Sequence, residues 1–177
     1  MFNLDVKIVC PETERMDHVD FITQQWEQER PDLDVTAMGI IGRVKRLYLA
    51  YQSEMEKTFQ RFGLNAAKFD VLATLRRAGA PYELSPGDLL KATMVASGTM
   101  TNRIDRLEAD GLVRRKVNPA DSRSFLIALT DEGLALINEA VEAHVVTQAG
   151  LLAEMAPEDV AIFNALLSKA LVAAGSR

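Results

Sequence analysis

The sequence contains very few of the residues from which catalytic and metal sites are built. It has one cysteine, Cys10, and two histidines, His18 and His144, which stand far apart in the chain. A single thiol cannot form a disulfide within the chain, and neither histidine has a partner at the spacing of a zinc site. No glycine-rich phosphate loop and no nucleophile elbow occur. The sequence therefore disfavours an enzyme and indicates neither a cofactor nor a metal.

Long hydrophobic runs and a signal sequence are lacking as well. No apolar run approaches the ~20 residues that span a bilayer, and no charged-then-apolar segment opens the chain. Cys10 precedes Pro11 in a segment without a clear period, and we interpret it as an incidental thiol. We therefore expect a soluble protein of the reducing cytoplasm.

The composition is that of a folded domain. The chain has 177 residues, of which 48% are hydrophobic, and this is enough for a sizeable core. No linker rich in Gly, Ser or Pro and no internal repeat divides it. The net charge of -5 argues against indiscriminate binding of polyanions. Any contact with nucleic acid must then depend on where the basic residues lie.

Apolar periodicity predicts a series of helices. A short one runs from Asp17 to Glu29 and carries the only tryptophan, Trp26, which by itself is most simply a packing anchor. A long one, capped by Asp34 or Thr36, continues to Gly63. Further helices begin at Asn65, Ser85, Thr130 and Pro157. The apolar stripes of the long first and last helices exceed what one small domain can cover, so we expect them to form a dimerisation layer.

The segment 96–130 organises the rest of the chain. Ser97 is a plausible N-cap for a helix that ends near Gly111, with Met100, Ile104 and Leu107 as its buried stripe. Beside that stripe a polar flank carries hydroxyl, amide and guanidinium groups, on Thr99, Asn102, Arg103 and Arg106. Such groups pair with base edges and phosphates in a DNA major groove. The alternative is an ordinary solvated helix face.

Two strands follow this helix. Val113 and Val117 lie on one face of the first, and Phe125, Ile127 and Leu129 alternate along the second. They flank a turn at 118–122. A helix from Ser85 to Ala92, the polar helix and this hairpin together predict a winged helix-turn-helix. The expected fold class is mainly α with a small β-hairpin wing (α+β), with N- and C-terminal dimerisation helices.

The segment resembles the MarR family (multiple antibiotic resistance type) of bacterial transcription regulators. The resemblance rests on Asp121-Ser122-Arg123 near the wing tip and on Leu129-Thr130 at the strand end, and it extends from Thr36 to Leu171. It implies a homodimeric regulator whose polar helix enters the major groove and whose wing arginine enters the minor groove. The residues expected at DNA are Ser97, Thr99, Thr101, Asn102, Arg103, Arg106, Asp121 and Arg123.

By the same resemblance, the chain 1–177 is expected to be a single MarR-type domain. Residues 1–33 are an N-terminal extension with a short helix. Residues 34–63 and 131–177 supply the dimerisation helices, and residues 64–130 form the DNA-binding region.

Arg115 stands among apolar neighbours in the first wing strand. A guanidinium group there needs an anionic partner, because burying it unpaired is costly. Asp70, at the margin of an apolar helix face, is one candidate, and a small anionic ligand is another.

The urate-responsive branch of the family is the most similar in motifs. The likeness comprises Trp26, the run Gly63 to Ala67 followed by Phe69-Asp70, the tripeptide at 102–104, and Arg115. It implies an effector site of Trp26, Asp70, Arg103 and Arg115. A structural Asp–Arg pair with a packing tryptophan is the alternative.

The expected function is therefore a repressor that a small anionic aromatic ligand, urate or purine-like, releases from a pseudo-palindromic operator. A regulator that responds to phenolic or aryl carboxylate compounds, or to no ligand, is a second interpretation. A winged helix that binds proteins and not DNA is a third.

Overall fold

The computed structural model describes residues 16–93 and 100–175. It is mainly helical with one small sheet, as predicted. The elements are α1 (His18–Glu29), α2 (Thr36–Gln60), α3 (Ala66–Arg77), β1 (Glu83–Leu84), α4 (Pro86–Ala92), α5 (Met100–Ala109), β2 (Val113–Asn118), β3 (Asp121–Leu129), α6 (Asp131–Leu151) and α7 (Pro157–Gly175). The chain forms two compact units, Met1–Ala50 and Tyr51–Arg177, which divide within α2. Cys10 lies outside the described residues.

The N-terminal unit joins α1 to the first half of α2. Asp17 caps α1 through a capping box with Asp20. Arg43 of α2 pairs with both carboxylates, at 2.8 Å from Asp17. Val19 is the buried residue of α1, and its side chain packs against Gly42, 3.2 Å from where a Cβ on that glycine would stand. Trp26 keeps 42% of its surface exposed, so the anchor of α1 in this unit is Val19 and not the tryptophan.

The predicted helix starts of the C-terminal unit are confirmed. The side chain of Asn65 accepts the Lys68 amide at the start of α3, and Thr130 accepts the Gly133 amide at the start of α6. Ser85 caps α4, with Pro86 as the first helical residue. These caps satisfy amides that have no partner inside their own helix.

The sheet has three antiparallel strands in the order β1-β3-β2. Strand β2 pairs with β3 from Val113 opposite Leu129 to Val117 opposite Phe125, and this confirms the predicted hairpin. Strand β1 was not predicted. Its two residues pair with Ala128 and Ile127 on the other edge of β3, and a strand so short leaves no alternation in the sequence.

One hydrophobic core holds the C-terminal unit together. Its fully buried side chains come from α3, α4, α5, β3 and α6. The largest of these are Leu72 and Leu75 of α3, Leu89 of α4, Leu107 of α5, Ile127 of β3 and Ile137 of α6. Burying a side chain of this size stabilises the fold by roughly 1.5–3 kcal/mol.

Two long helices keep large apolar side chains at the surface of the chain. Among the described residues, α7 has no buried side chain at all, and Ile162, Leu166 and Leu171 are each more than half exposed. In the N-terminal unit, α2 likewise exposes Ile41 and Tyr48. Within the described ranges, none of the helices has the length and hydropathy needed to cross a membrane.

The first turn of α6 lies directly on the backbone that follows α5. The Thr130 hydroxyl donates to the Gly111 carbonyl at 2.7 Å, and the Thr130 amide donates to the Leu112 carbonyl at 3.2 Å. A Cβ on Gly133 would overlap that Leu112 carbonyl oxygen and stand 2.9 Å from its carbon. Position 133 therefore requires a residue without a side chain, because two backbone segments approach closely there.

Gly133→Ala is expected to lower the free energy of unfolding by about 1–3 kcal/mol, because the added methyl group meets backbone that cannot rotate away. Gly150→Ala is the matched control, since a Cβ at this other α6 glycine meets nothing within 4 Å. It should leave stability unchanged or raise it by up to about 1 kcal/mol. Urea unfolding at one fixed protein concentration measures both. Equal effects of the two substitutions would contradict the close contact.

His144 of α6 lies in an aromatic cluster. Its ring centroid is 5.1 Å from that of Phe59 and 4.8 Å from that of Phe69, and the two phenylalanines stack at 4.3 Å. Burial lowers the pKa of His144 below its ordinary value of 6.5. Among the described residues, its buried Nδ1 has no hydrogen-bond partner. The folded state therefore favours the neutral ring.

Because the folded pKa of His144 is depressed, its contribution to stability is present above pH 6.5 and is lost as the pH falls below that value. We expect the urea midpoint to fall between pH 7.5 and 5.5. In His144→Gln the fall should be smaller, although the variant starts from a lower stability. His18→Gln, which removes the other and exposed histidine, is the comparison variant. An unchanged pH profile in His144→Gln would rule out this role.

Candidate nucleic-acid interface

The orientation of α5 is set by its buried residues. Met100, Ile104 and Leu107 are at most 6% exposed and belong to the core. This confirms the predicted stripe. Gly111 has φ +74°, the left-handed conformation expected where the chain leaves the helix. Since these residues face inward, the side chains on the other faces of α5 are fixed relative to the rest of the unit.

The predicted DNA contacts on α5 are distributed accordingly. Thr101, Asn102 and Arg106 are exposed, and Arg103 is half-buried. Ser97 and Thr99, the predicted cap and first contact, lie outside the described residues. The exposed set provides hydroxyl, amide and guanidinium donors on one helix, and these are groups that bind base edges and phosphates.

Helix α4 precedes α5 as the first helix of the helix-turn-helix. The Ser85 hydroxyl donates to the Asp88 carboxylate at 2.7 Å and accepts the Asp88 amide at 3.1 Å. The hydroxyl, followed by Lys91, lowers the pKa of Asp88. Leu89 is fully buried and attaches this short helix to the core. Leu89 of α4 and the buried residues of α5 thus belong to the same core.

The wing tip is held by local hydrogen bonds. The Asn118 carboxamide accepts the Ala120 amide at 3.0 Å, and the Asp121 carboxylate accepts the Arg123 amide at 3.0 Å. The carboxylate thus shapes the turn, and the Arg123 side chain extends into solvent.

Arg115 is held by two carboxylates of α5. Its Nη2 is 2.5 Å from the Asp105 carboxylate, and its Nη1 pairs with Glu108, which also accepts the Arg115 amide at 3.1 Å. The hydrogen bond to Asp105 raises the pKa of Arg115, and burial opposes it. The guanidinium also lies over the Phe125 ring at 5.6 Å. The expectation of an anionic partner is met, but by residues that the sequence analysis did not name.

The sequence shows only that these two partners share a helix face, and not that Arg115 reaches them. Asp105 and Glu108 are three residues apart, so they lie on one face of a helix. At about 100° per residue, Glu108 lies about 140° around α5 from Arg103. Arg103 and Arg115 are therefore associated with different flanks of the same helix.

The other two predicted effector residues lie on separate elements. Asp70 is half-buried on α3 and takes part in an interaction there. Trp26 belongs to α1 of the N-terminal unit, and 42% of its surface is exposed. A role for the four residues in one effector site stays a prediction.

The geometry defines a class of protein, the winged helix-turn-helix DNA-binding proteins. Comparison with known proteins specifies it further. Residues 62–124, from the turn before α3 into β3, match the model of the MarR family. The HTH-type transcriptional regulator PecS of Dickeya dadantii (strain 3937) is 46% identical over 151 residues, which cover 85% of this chain and 91% of PecS.

Two solved structures are similar along most of their length. One is from work on the regulation of DNA binding of Bordetella bronchiseptica BpsR by 6-hydroxynicotinic acid. It has 30% sequence identity to this chain and a TM-score of 0.64. The match covers 72% of this chain and 89% of the BpsR chain. The other is a mutant MarR from E. coli complexed with operator DNA, with 26% identity, a TM-score of 0.66, and 82% and 97% coverage. The chain belongs to the MarR family. It is a DNA-binding transcriptional regulator and not an enzyme.

Proposed function

We propose that this protein is a homodimeric repressor of a pseudo-palindromic operator, which a small anionic aromatic ligand, urate or purine-like, releases from the DNA. The observation that carries the DNA part is the exposed pair Asn102 and Arg106 on a helix whose other face is locked into the core. Arg123 at the exposed wing tip supplies a further cation. We call α5 the reading helix. In a two-fold dimer, the two copies of the reading helix contact half-sites that lie about one helical turn of DNA apart.

The exposed apolar side chains support the dimer. Ile162, Leu166 and Leu171 of α7 are 57–72% exposed, and a second copy of the chain would remove them from water. Because a two-fold interface uses the same surface on both copies, one apolar helix face is enough to generate it. Dimerisation also doubles the DNA contacts of a chain whose net charge is -5.

The DNA role of these side chains predicts distinct effects of their removal. Asn102→Ala and Arg106→Ala should each cost about 1–3 kcal/mol of discrimination at individual base pairs, because bidentate contacts are lost. Arg123→Ala should weaken binding and reduce the preference for A·T-rich sequence beneath the wing. Fluorescence anisotropy on operators selected from a random duplex pool measures both quantities.

Arg61→Ala is the control for this series, because it removes an exposed arginine that lies outside the helix-turn-helix and the wing. It should bind as the wild type does. If the three interface variants bind as tightly and as selectively as Arg61→Ala, then this face does not contact DNA.

The effector part of the proposal concerns Arg115. Asp105 and Glu108 neutralise its guanidinium, so an anionic ligand would have to replace at least one of these carboxylates. Such a replacement would break at least one of the ion pairs that connect β2 to α5. DNA affinity would then fall only to the extent that the ligand binds the loosened form more tightly than the DNA-binding form.

An aryl carboxylate is the second candidate effector. The similar protein BpsR has its DNA binding regulated by 6-hydroxynicotinic acid, which is an aromatic acid. This relative supports an aromatic anion as the chemical class. A purine anion and an aryl carboxylate offer a guanidinium the same kind of acceptor, and the experiment below separates them.

Urate, other purines, salicylate and 6-hydroxynicotinic acid are to be titrated against the protein–operator complex. We expect the urate-like anion to release the DNA. Arg115→Ala should keep most DNA affinity but lose the response, and Trp26→Ala should weaken the ligand by removing a stacking surface. Glu108→Gln should respond at lower ligand concentration, because it removes a competing carboxylate.

Arg114→Ala is the matched control for Arg115→Ala. Arg114 neighbours it on β2, points to the other face of the strand and is exposed. This variant should respond as the wild type does. The proposed site is wrong if no compound of either class releases the DNA, or if Arg115→Ala retains the response.

A further inference from the structure

A polar niche lies between the start of α3 and the flank of α5 that faces away from Arg115. Its volume is about 240 Å³. Apart from Ala67, the described residues of its lining carry amide and cationic side chains: the N-cap Asn65 and Lys68 at the start of α3, and Asn102, Arg103 and Arg106 from α5. Among the residues that the structure describes, no carboxylate contributes to this lining. The niche is therefore a concentration of positive charge in an acidic protein.

The cations of the niche are incompletely satisfied. Lys68 is ion-paired with Asp110 at 2.6 Å, but Nη1 of Arg103 is buried and, among the described residues, has no hydrogen-bond partner. An unsatisfied buried donor costs roughly 1–3 kcal/mol, and more when the group is charged. The side chain of Arg103 is at the same time part of the niche lining.

The chemistry of the lining selects the class of acceptor. Guanidinium groups, an ammonium group and carboxamide N–H groups all donate hydrogen bonds, and together they match an oxyanion with several acceptor oxygens. A phosphate group meets this requirement, since it presents oxygens in several directions and carries negative charge.

We propose that this niche binds a phosphate group and that the DNA backbone supplies it. Asn102 and Arg106 line the niche and also belong to the exposed face of α5, so a strand beside the reading helix would bring a phosphate next to Lys68 and Arg103. The site adds α3 to the DNA interface. This proposal depends on the proposed DNA binding but not on the proposed effector response.

The test compares two variants that break the same ion pair. Lys68→Gln and Asp110→Asn both remove the bond between Lys68 and Asp110, but only the first removes the cation. Affinity is measured against salt concentration on an operator duplex and on a scrambled duplex. Lys68→Gln should weaken both complexes by the same factor and make the slope of log K against log salt shallower by about 0.9, because one phosphate contact is lost. Asp110→Asn should keep the wild-type slope and bind at least as tightly.

A second measurement identifies the source of the phosphate. Inorganic phosphate is added to the DNA-free protein at constant ionic strength, with chloride as reference, and the melting temperature is followed. A rise in the wild type that Lys68→Gln lacks shows that the niche also accepts free phosphate. No rise, together with the shallower slope, identifies the DNA backbone as its sole source.

The proposal is overturned if Lys68→Gln and Asp110→Asn alter DNA binding alike and inorganic phosphate stabilises neither the wild type nor Asp110→Asn. Lys68 would then serve only its ion pair. Failure of the wild type to bind any duplex would instead contradict the proposed function, and the phosphate measurement alone would decide about the niche.

Discussion

Burial of one side of α5 is the constraint on which the rest of the site depends. Met100, Ile104 and Leu107 are inserted into a core that α3, α4, β3 and α6 share, so α5 cannot rotate about its axis without exposing them. Three side chains of this size represent several kcal/mol of hydrophobic free energy. The direction in which Asn102 and Arg106 point is therefore a consequence of core packing rather than of any polar contact.

The two flanks of α5 carry opposite charge, and each faces a different partner. Asp105 and Glu108 face the wing and bind Arg115, while Arg103 and Arg106 line the niche beside α3. This segregation explains how a chain with a net charge of -5 can present a cationic surface beside α5. Asp105 and Glu108 attach the wing, so their charge is neutralised on the flank where DNA is not expected to bind.

Caps and stripes were the features that the sequence could predict. Asn65, Ser85 and Thr130 begin helices because their side chains bond amides within three residues, and such short-range chemistry is visible in the sequence. The missed features are tertiary. The partners of Arg115 depend on how β2 lies against α5, the niche depends on how α3 meets α5, and Gly133 is needed only because Leu112 passes close to it. Such close contacts between distant parts of the chain cannot be derived from a single sequence.

The backbone contact at the start of α6 also has a mechanical consequence. Thr130 and Gly133 fasten the first turn of α6 to Gly111 and Leu112, where the chain leaves the reading helix. The 21 residues of α6 then extend about 30 Å from this contact. Ile137 lies in the core and His144 packs on Phe59 and Phe69, so the helix is also held along its length. α6 therefore acts as a rigid strut that joins the exit of α5 to the far end of the unit, and the position of one end fixes that of the other.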